Sequence, residues 1–239
     1  MDHEPDIATV AGLLANPARV AMLEVLLDGG SHAAGDLARQ ARVAPSTASG
    51  HLAALVQGRL VDVQRIGRQR RHQLAGPAVA QAMESLALLA APRQVSSLRQ
   101  ATQNEHLQRG RTCYDHVAGQ LGVALADALR DRGAIRQVGE AFDLTRRGET
   151  FFEVLGVDVM AARKLRRGFT LACRDWTERR FHLGGALGAA LCARLLELRW
   201  IRRRPSSRAV LVTEEGLTGL RTQFGIDWTE ANVTPCRFR

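Results

Sequence analysis

The sequence predicts a mainly α-helical chain carrying small β-hairpins, an α+β arrangement in two unlike halves. Three observations predict it. Apolar residues recur every three or four positions through most of the first ninety residues. Two short segments flank a basic glycine turn at Gly67-Arg68. Beyond residue 111 the chain repeats itself.

Length and composition narrow the class. A chain of 239 residues with 46% hydrophobic content can bury one large core or two small ones. The longest apolar runs, such as 183–193, fall short of the roughly 18–20 residues of a spanning helix. The opening MDHEPDIATV lacks the basic and apolar halves of a secretory signal, so the expected location is the cytoplasm, with no membrane partner. The formal charge of +9 rests on Arg, since Lys164 is the only lysine, and a basic balance favours nucleic acid. Cys113, Cys173, Cys192 and Cys236 form no CxxC pair and no disulfide framework. They read as buried thiols, metal ligands or redox sensors.

Leu13, Leu14, Pro17, Val20, Leu23, Leu26 and Leu27 mark one amphipathic helix beginning through Asn16-Pro17 and ended by Asp28-Gly29-Gly30. A short helix at 34–40 follows, then a turn at Arg42-Val43-Ala44. Pro45 opens a third helix reaching about Gln57, with Ala48, Leu52, Leu55 and Val56 as its buried stripe. Its outer face keeps Pro45, Ser46, Thr47, Ser49, Gly50 and His51. Short hydrogen-bonding side chains near a helix N-terminus suit a DNA major groove. Next come two strands whose hairpin holds Arg65, Arg68, Gln69, Arg70, Arg71 and His72. Such cationic tips suit a phosphate backbone.

The stretch LANPARVAMLEVLLDGG…GDLARQARVAPSTASGHLAALVQGRLVDVQRIGRQRRHQL resembles the ArsR family of winged helix-turn-helix regulators over residues 10–90. The Asn-Pro-x-Arg start, Asp-Leu-Ala second helix, Ser-Thr-x-Ser-x-His-Leu third helix and basic wing carry the resemblance. It implies a sequence-specific DNA-binding regulator, a double-stranded operator, and a homodimer joined through the N-terminal segment and the helix after the wing. On that helix Val79, Met83, Leu86 and Leu89 form one apolar stripe. The sequence departs from metal-sensing members: residues 33–37 hold no Cys-x-Cys, and residues 81–91 offer only Glu84. Any sensing site must lie elsewhere.

The expected organisation is a DNA-binding and dimerisation domain at 1–92, a linker or bridging helix at 93–111, and an effector domain at 112–239. Within the last, residues 116–125 align with 182–191 without gaps, and Leu144-Thr145…Gly148 matches Val212-Thr213…Gly216. Thr145 and Thr213 are expected N-caps. These repeats, 112–160 and 172–230, read as two winged-helix-like units, with Gly119, Gly122, Gly185 and Gly188 allowing close helix packing. Cys113-Tyr-Asp115 precedes His116, and Cys173-Arg-Asp175 precedes His182 at a longer spacing. Cys113, Asp115 and His116 are expected at a helix start, which lowers a thiol's pKa. These six residues are the candidate effector site, with Cys113, His116, Cys173 and His182 the candidate ligands of a divalent or soft metal ion. A thiol-reactive species, an organic ligand and purely structural roles are the alternatives. The basic segment 199–208 reads as a second DNA-touching hairpin or a solvated turn.

The function expected is an effector-released homodimeric repressor that is not an enzyme. An enzyme or a thiol/redox-sensing domain fused to a DNA-binding domain is the second reading. An architectural DNA binder is the third.

Overall fold

The computed structural model describes residues 4–91, 93–205 and 207–229. Pro92, expected to end a helix, Ser206 of the second basic hairpin and Cys236 lie outside the described residues. The chain divides into two compact units, Met1–Met83 and Glu84–Arg239, and the division falls inside a helix.

The first unit begins with α1 (Ile7–Leu14) and α2 (Pro17–Leu26). The single helix expected here is two. Asn16 Oδ1 accepts from the amides of Ala18 and Arg19, at 3.0 and 3.2 Å, and caps α2 from inside the apolar run. Leu13 and Leu14 therefore belong to α1. Met22, Leu23, Leu26 and Leu27 are buried. Then come β1 (His32–Ala33), α3 (Ala34–Ala41), α4 (Pro45–Gln57), β2 (Val61–Ile66) and β3 (Gln69–Leu74). Arg42 takes φ 56° and closes α3, so α3 and α4 make the helix-turn-helix. The sheet order is β1-β3-β2, with Arg65 opposite Arg70 and Ile66 opposite Gln69 across the Gly67-Arg68 turn. Buried Leu37, Ala48, Leu52, Leu55, Val61 and Leu74 complete this core. Val56, expected in that stripe, is exposed.

Helix α5 (Pro77–Leu89) spans the division, and α6 (Leu98–Arg109) is the bridging helix allowed for by the polar segment. The second unit then runs through one order of elements twice. First come β4 (Arg111–Cys113), β5 (His116–Ala118), α7 (Gly119–Asp131), β6 (Ile135–Val138), β7 (Ala141–Leu144), α8 (Arg146–Leu155) and α9 (Val159–Arg163). The second pass is β8 (Leu171–Arg174), β9 (Phe181–Gly184), α10 (Gly185–Glu197), β10 (Ile201–Arg203), β11 (Val210–Val212) and α11 (Glu214–Gly219), which continues as one π-helical turn over Leu220–Phe224. Each pass starts with a hairpin that was not foreseen.

Matched positions of the two passes do matched work. Leu121 and Leu187, Leu125 and Leu191, Leu129 and Leu195, and Ile135 and Ile201 are all buried in one core. Thr145 Oγ1 accepts from Gly148 N, and Thr213 Oγ1 from Gly216 N, each at 3.0 Å, so both expected N-caps form. Helix α7 packs on β9 while α10 packs on β5, so each helix covers the other pass's hairpin. The glycines allow close packing against strands rather than helices, each against the strand that precedes its own helix. A Cβ on Gly122 would lie 2.4 Å from the Val117 carbonyl oxygen, and one on Gly188 2.3 Å from that of Leu183.

Candidate functional site

The exposed face of α4 follows from the burial of its other side. With Ala48, Leu52 and Leu55 held in the core, the opposite side presents Pro45, Ser46, Thr47, Ser49 and Gly50 to solvent, with His51 half-buried. Ser49 Oγ donates to the Pro45 carbonyl at 3.0 Å. On the wing, Arg65, Arg68, Gln69 and Arg70 are exposed.

Two of the expected basic tips are not free. Arg71 Nε donates to the Ser31 carbonyl and hydroxyl, both at 3.1 Å, and its Nη2 donates to the same carbonyl. His72 is buried opposite His32, and burial holds its pKa below the ordinary imidazole value. The two-residue strand β1 is the cause, because it gives β3 a neighbour on both sides. In the second basic segment Arg208 is also engaged: its Nη1 donates to Glu84 Oε1 at 2.7 Å.

The candidate effector residues converge in the second unit. Cys113 pairs with His116 across the β4–β5 hairpin, and Cys173 pairs with His182 across β8–β9. The unequal Cys-to-His spacings are thus unequal loops on the same strand register. Cys113 Sγ, Cys173 Sγ and one ring nitrogen of each histidine lie within 4.8 Å of one another, and all four residues are buried. The sulfurs are 3.9 Å apart and the two Nε2 atoms 3.2 Å apart.

Neither cysteine stands at a helix start, which corrects the sequence reading. Cys113 ends a strand, and the facing Cys173 sulfur and burial hold its thiol well above the ordinary range. Burial and the adjacent His116 keep His182 neutral, well below its usual pKa.

Asp115 and Asp175 stand behind the cluster rather than in it. Asp115 Oδ1 is 3.4 Å from His116 Nδ1, and its other oxygen accepts from Arg167. Asp175 Oδ2 is 3.5 Å from His182 Nδ1 and accepts from Arg111 Nη2 at 2.9 Å and Gly119 N at 2.7 Å. Its Oδ1 accepts from the amides of Thr177 and Glu178. Burial opposes ionisation of Asp175, but the Arg111 guanidinium and these donors keep its carboxyl well below the usual range. Arg111, fully buried, sits 4.6 Å from the Trp176 ring and 3.8 Å from Glu84 Oε2. Arg111 had no place in the sequence reading and Glu84 entered it only as the one acidic residue of 81–91, since nothing local marks a buried ion pair.

The stripe expected on α5 divides. Val79 and Met83 are half-buried, whereas Leu86 and Leu89 are 46% and 84% exposed. Glu84, on the same helix, is buried.

A winged helix-turn-helix with exposed serines, threonine and arginines defines a DNA-binding class, and the comparisons agree. The family model of a helix-turn-helix domain matches residues 14–64. A helix-turn-helix-type transcriptional regulator of Bacillus subtilis (strain 168), YdfF, is 41% identical over 212 residues, covering 89% of this chain and 94% of that protein. Among solved structures, the homodimeric winged helix-turn-helix domain of Mb0332 from Mycobacterium bovis is 29% identical. It covers 37% of this chain and 89% of that one, with a TM-score of 0.33. The cadmium sensor CmtR of Mycobacterium tuberculosis is 32% identical, covering 38% of this chain and 93% of its own, with a TM-score of 0.32. The chain belongs to the helix-turn-helix-type transcriptional regulators. It is a DNA-binding transcriptional regulator. Among the described residues no single helix is long and apolar enough to cross a membrane.

Proposed function

We propose that the chain is a homodimeric, sequence-specific repressor of the cytoplasm, released from its operator by an effector that acts at the Cys/His cluster. The observation that carries this reading is the second unit itself. It is larger than the DNA-binding unit and concentrates four metal- or thiol-chemistry side chains at one buried point between its two passes. An architectural DNA binder has no use for such a construction. An enzyme would need a substrate cavity beside the reactive groups. The void between α7 and α10, lined by Val117, Leu125, Leu183 and Leu191, measures about 10 Å³, room for one water at most. The ligand types of the cluster, two thiols and two imidazoles, favour a metal ion or a thiol-reactive species as the effector. No catalytic role is assigned.

Two exposed leucines on α5 support the dimer. Leu86 and Leu89 follow the wing on a helix end that leaves them in water, where a two-fold partner would cover them. The test pairs sedimentation with DNA binding. Leu86→Asp should give a folded monomer that loses cooperative operator binding, because the partner contact would bury an unpaired charge. Ser46→Ala and Thr47→Ala should weaken binding to operator more than to random duplex, with each lost base contact worth about 1–3 kcal/mol. An intact Leu86→Asp dimer, or equal losses on both duplexes, contradicts the reading.

A further inference from the structure

The Cys/His cluster carries more than a general sensing role. Two thiolates and two imidazoles are the ligand set of zinc-like, tetrahedral ions and a poor one for Mg²⁺ or Ca²⁺, which take oxygen. Zn–S bonds near 2.3 Å and Zn–N bonds near 2.0–2.1 Å, at the tetrahedral angle, place the sulfurs ~3.8 Å apart and the nitrogens ~3.3 Å apart. The cluster shows 3.9 Å between sulfurs and 3.2 Å between nitrogens. The two edges of the tetrahedron are therefore present already. Every ligand atom lies within 4.8 Å of the others. A two-iron cluster with thiolates on one iron and imidazoles on the other would hold the pairs farther apart, so the space fits one ion.

The surroundings are those of a ligand set. Each histidine turns Nε2 inward; His116 Nδ1 meets Asp115 at 3.4 Å, while the buried His182 Nδ1 lies 3.5 Å from Asp175 without a hydrogen bond. Carboxylates behind metal-bound imidazoles fix the tautomer and ring orientation. Ala118 and Leu171 pack around the two thiols and keep the site dry. Close packing of Gly184 against His116, 3.1 Å from Nε2 to where a Cβ would stand, leaves no side chain to enter the cluster.

We propose that Cys113 Sγ, Cys173 Sγ, His116 Nε2 and His182 Nε2 form a closed, four-coordinate site for one divalent ion of the Zn²⁺ class, which staples the two passes of the second unit together. Binding replaces the protons on the ligands: M²⁺ plus two Cys–SH, the His116 imidazolium and the neutral His182 imidazole gives M(S⁻)₂(N)₂ and three protons released to solvent. The bound centre is neutral, which suits a buried site. With all four positions filled by protein there is no open position for a substrate, so the ion is structural or regulatory. Asp115 and Asp175 are positioning residues. The assignment deepens the effector reading, since it names the chemistry of that cluster, but the site is tested without DNA.

The experiment uses the full chain, stripped with a chelator under reducing conditions and titrated with Co²⁺ and then Zn²⁺. One Co²⁺ per chain should bind, with the intense visible absorption of tetrahedral cobalt and a thiolate-to-cobalt charge-transfer band, and Zn²⁺ should displace it. Cys113→Ser, Cys173→Ser, His116→Gln and His182→Gln should each lose that spectrum. Cys192→Ser, whose thiol is buried on α10 outside the cluster, should keep it. Asp115→Asn should keep the spectrum but bind about 10–100-fold more weakly. Where a ligand variant fails to fold, the wild-type chain decides alone, because Zn²⁺ should shield two of its thiols from a thiol reagent. No cobalt uptake, an octahedral spectrum, or ready conversion of Cys113 and Cys173 to a disulfide by peroxide with no metal competition overturns the site. Tetrahedral uptake with operator affinity unaltered by Zn²⁺ supports the site and removes the effector reading. An inducer response in a chain that takes up no cobalt overturns the site and keeps the effector reading.

Discussion

The wing offers a prediction whose size follows from counting free charges. Arg65, Arg68 and Arg70 are exposed and make no ion pair among the described residues. Arg71 is tied to Ser31 and His72 is buried. Each phosphate neutralised contributes about −0.9 to the slope of log K against log salt on duplex DNA. Three arginines on phosphates thus account for a slope of about −2.7 per protomer and about −5 for a dimer. Between 50 and 200 mM salt that is worth about three decades of affinity. The perturbation is Arg65→Ala with Arg68→Ala and Arg70→Ala, measured by fluorescence anisotropy on labelled operator and random duplexes across that salt range. The triple variant should weaken on both duplexes and lose most of the slope. Arg71→Ala should change the slope by less than one unit while loosening the β1–β3 pairing. A triple variant with the wild-type slope, or an Arg71→Ala slope change as large as the triple's, refutes the placement of the wing on the backbone.

Other outcomes can be read without DNA. Asp175→Ala removes the acceptor of Arg111 Nη2, Gly119 N and the Thr177 and Glu178 amides. Leaving Arg111 buried without its nearest carboxylate should cost about 3–5 kcal/mol. That is a fall in Tm of roughly 6–20 °C in chelator, and the double change Arg111→Met/Asp175→Leu should lose less. Gly122→Ala and Gly188→Ala drive a methyl into a strand carbonyl and should each cost about 1–3 kcal/mol in denaturant unfolding; a cost near zero would mean the helices can back away. His32 and His72 should titrate on opposite sides of about 6.5 by NMR. A hydrogen bond to Asp28 raises His32, so its contribution to stability is complete below the unfolded value and lost as pH rises through the folded one. Burial lowers His72, so its contribution is present above the unfolded value and lost as pH falls through the folded one. Asp28→Asn should bring the His32 midpoint down, and a midpoint already at or below 6.5 in the wild type contradicts the pairing.

What the sequence revealed depended on how local each signal is. Pro45, the apolar spacing and the Gly67-Arg68 turn act within a few residues, and α4 and the wing stand where those signals place them. The Thr-x-x-Gly signal at both 145 and 213 is equally local, and both caps form. Helix α1 merged with α2 in the sequence reading because the apolar period runs on through the break that Asn16 caps. Strands of two to four residues, β1, β4, β5, β8 and β9, are too short to show alternation, so the hairpins holding the cluster stayed hidden. Their absence turned Cys113, Asp115 and His116 into a helix start and left His72 among the wing's tips. The four cluster residues themselves were legible through duplication, but their register required the hairpins. The burial and pairing of Glu84 were out of reach. A buried carboxylate on an apolar helix makes sense only once Arg208, 124 positions away, is seen to meet it.

That ion pair also gives the cluster a physical route to α5. His182 Nδ1 faces Asp175, Asp175 accepts from Arg111, and Arg111 Nη2 stands 3.8 Å from Glu84, whose other oxygen accepts from Arg208. Every side chain of this series except Arg208 is at most 3% exposed, so its charges interact with little screening by water. Glu84 lies where α5 passes from one compact unit to the next, two residues before the exposed Leu86. An ion bound by His182 would alter the partner that Asp175 shares with Arg111, and so the pull on Glu84. Coupling of 1.4 kcal/mol suffices for a tenfold change in operator affinity. Glu84→Gln keeps the shape and one hydrogen bond to Arg208 but removes the charge that Arg111 sees. In this variant the tetrahedral cobalt spectrum should persist, while the effect of Zn²⁺ on operator affinity should shrink by about tenfold. Because coupling between two binding events is reciprocal, operator DNA should shift the wild type's Zn²⁺ affinity by the same factor that Zn²⁺ shifts operator affinity, and Glu84→Gln should reduce both equally. If Glu84→Gln retains the full response, the cluster acts on DNA binding by another path, and the buried pair serves only to hold α5 in place.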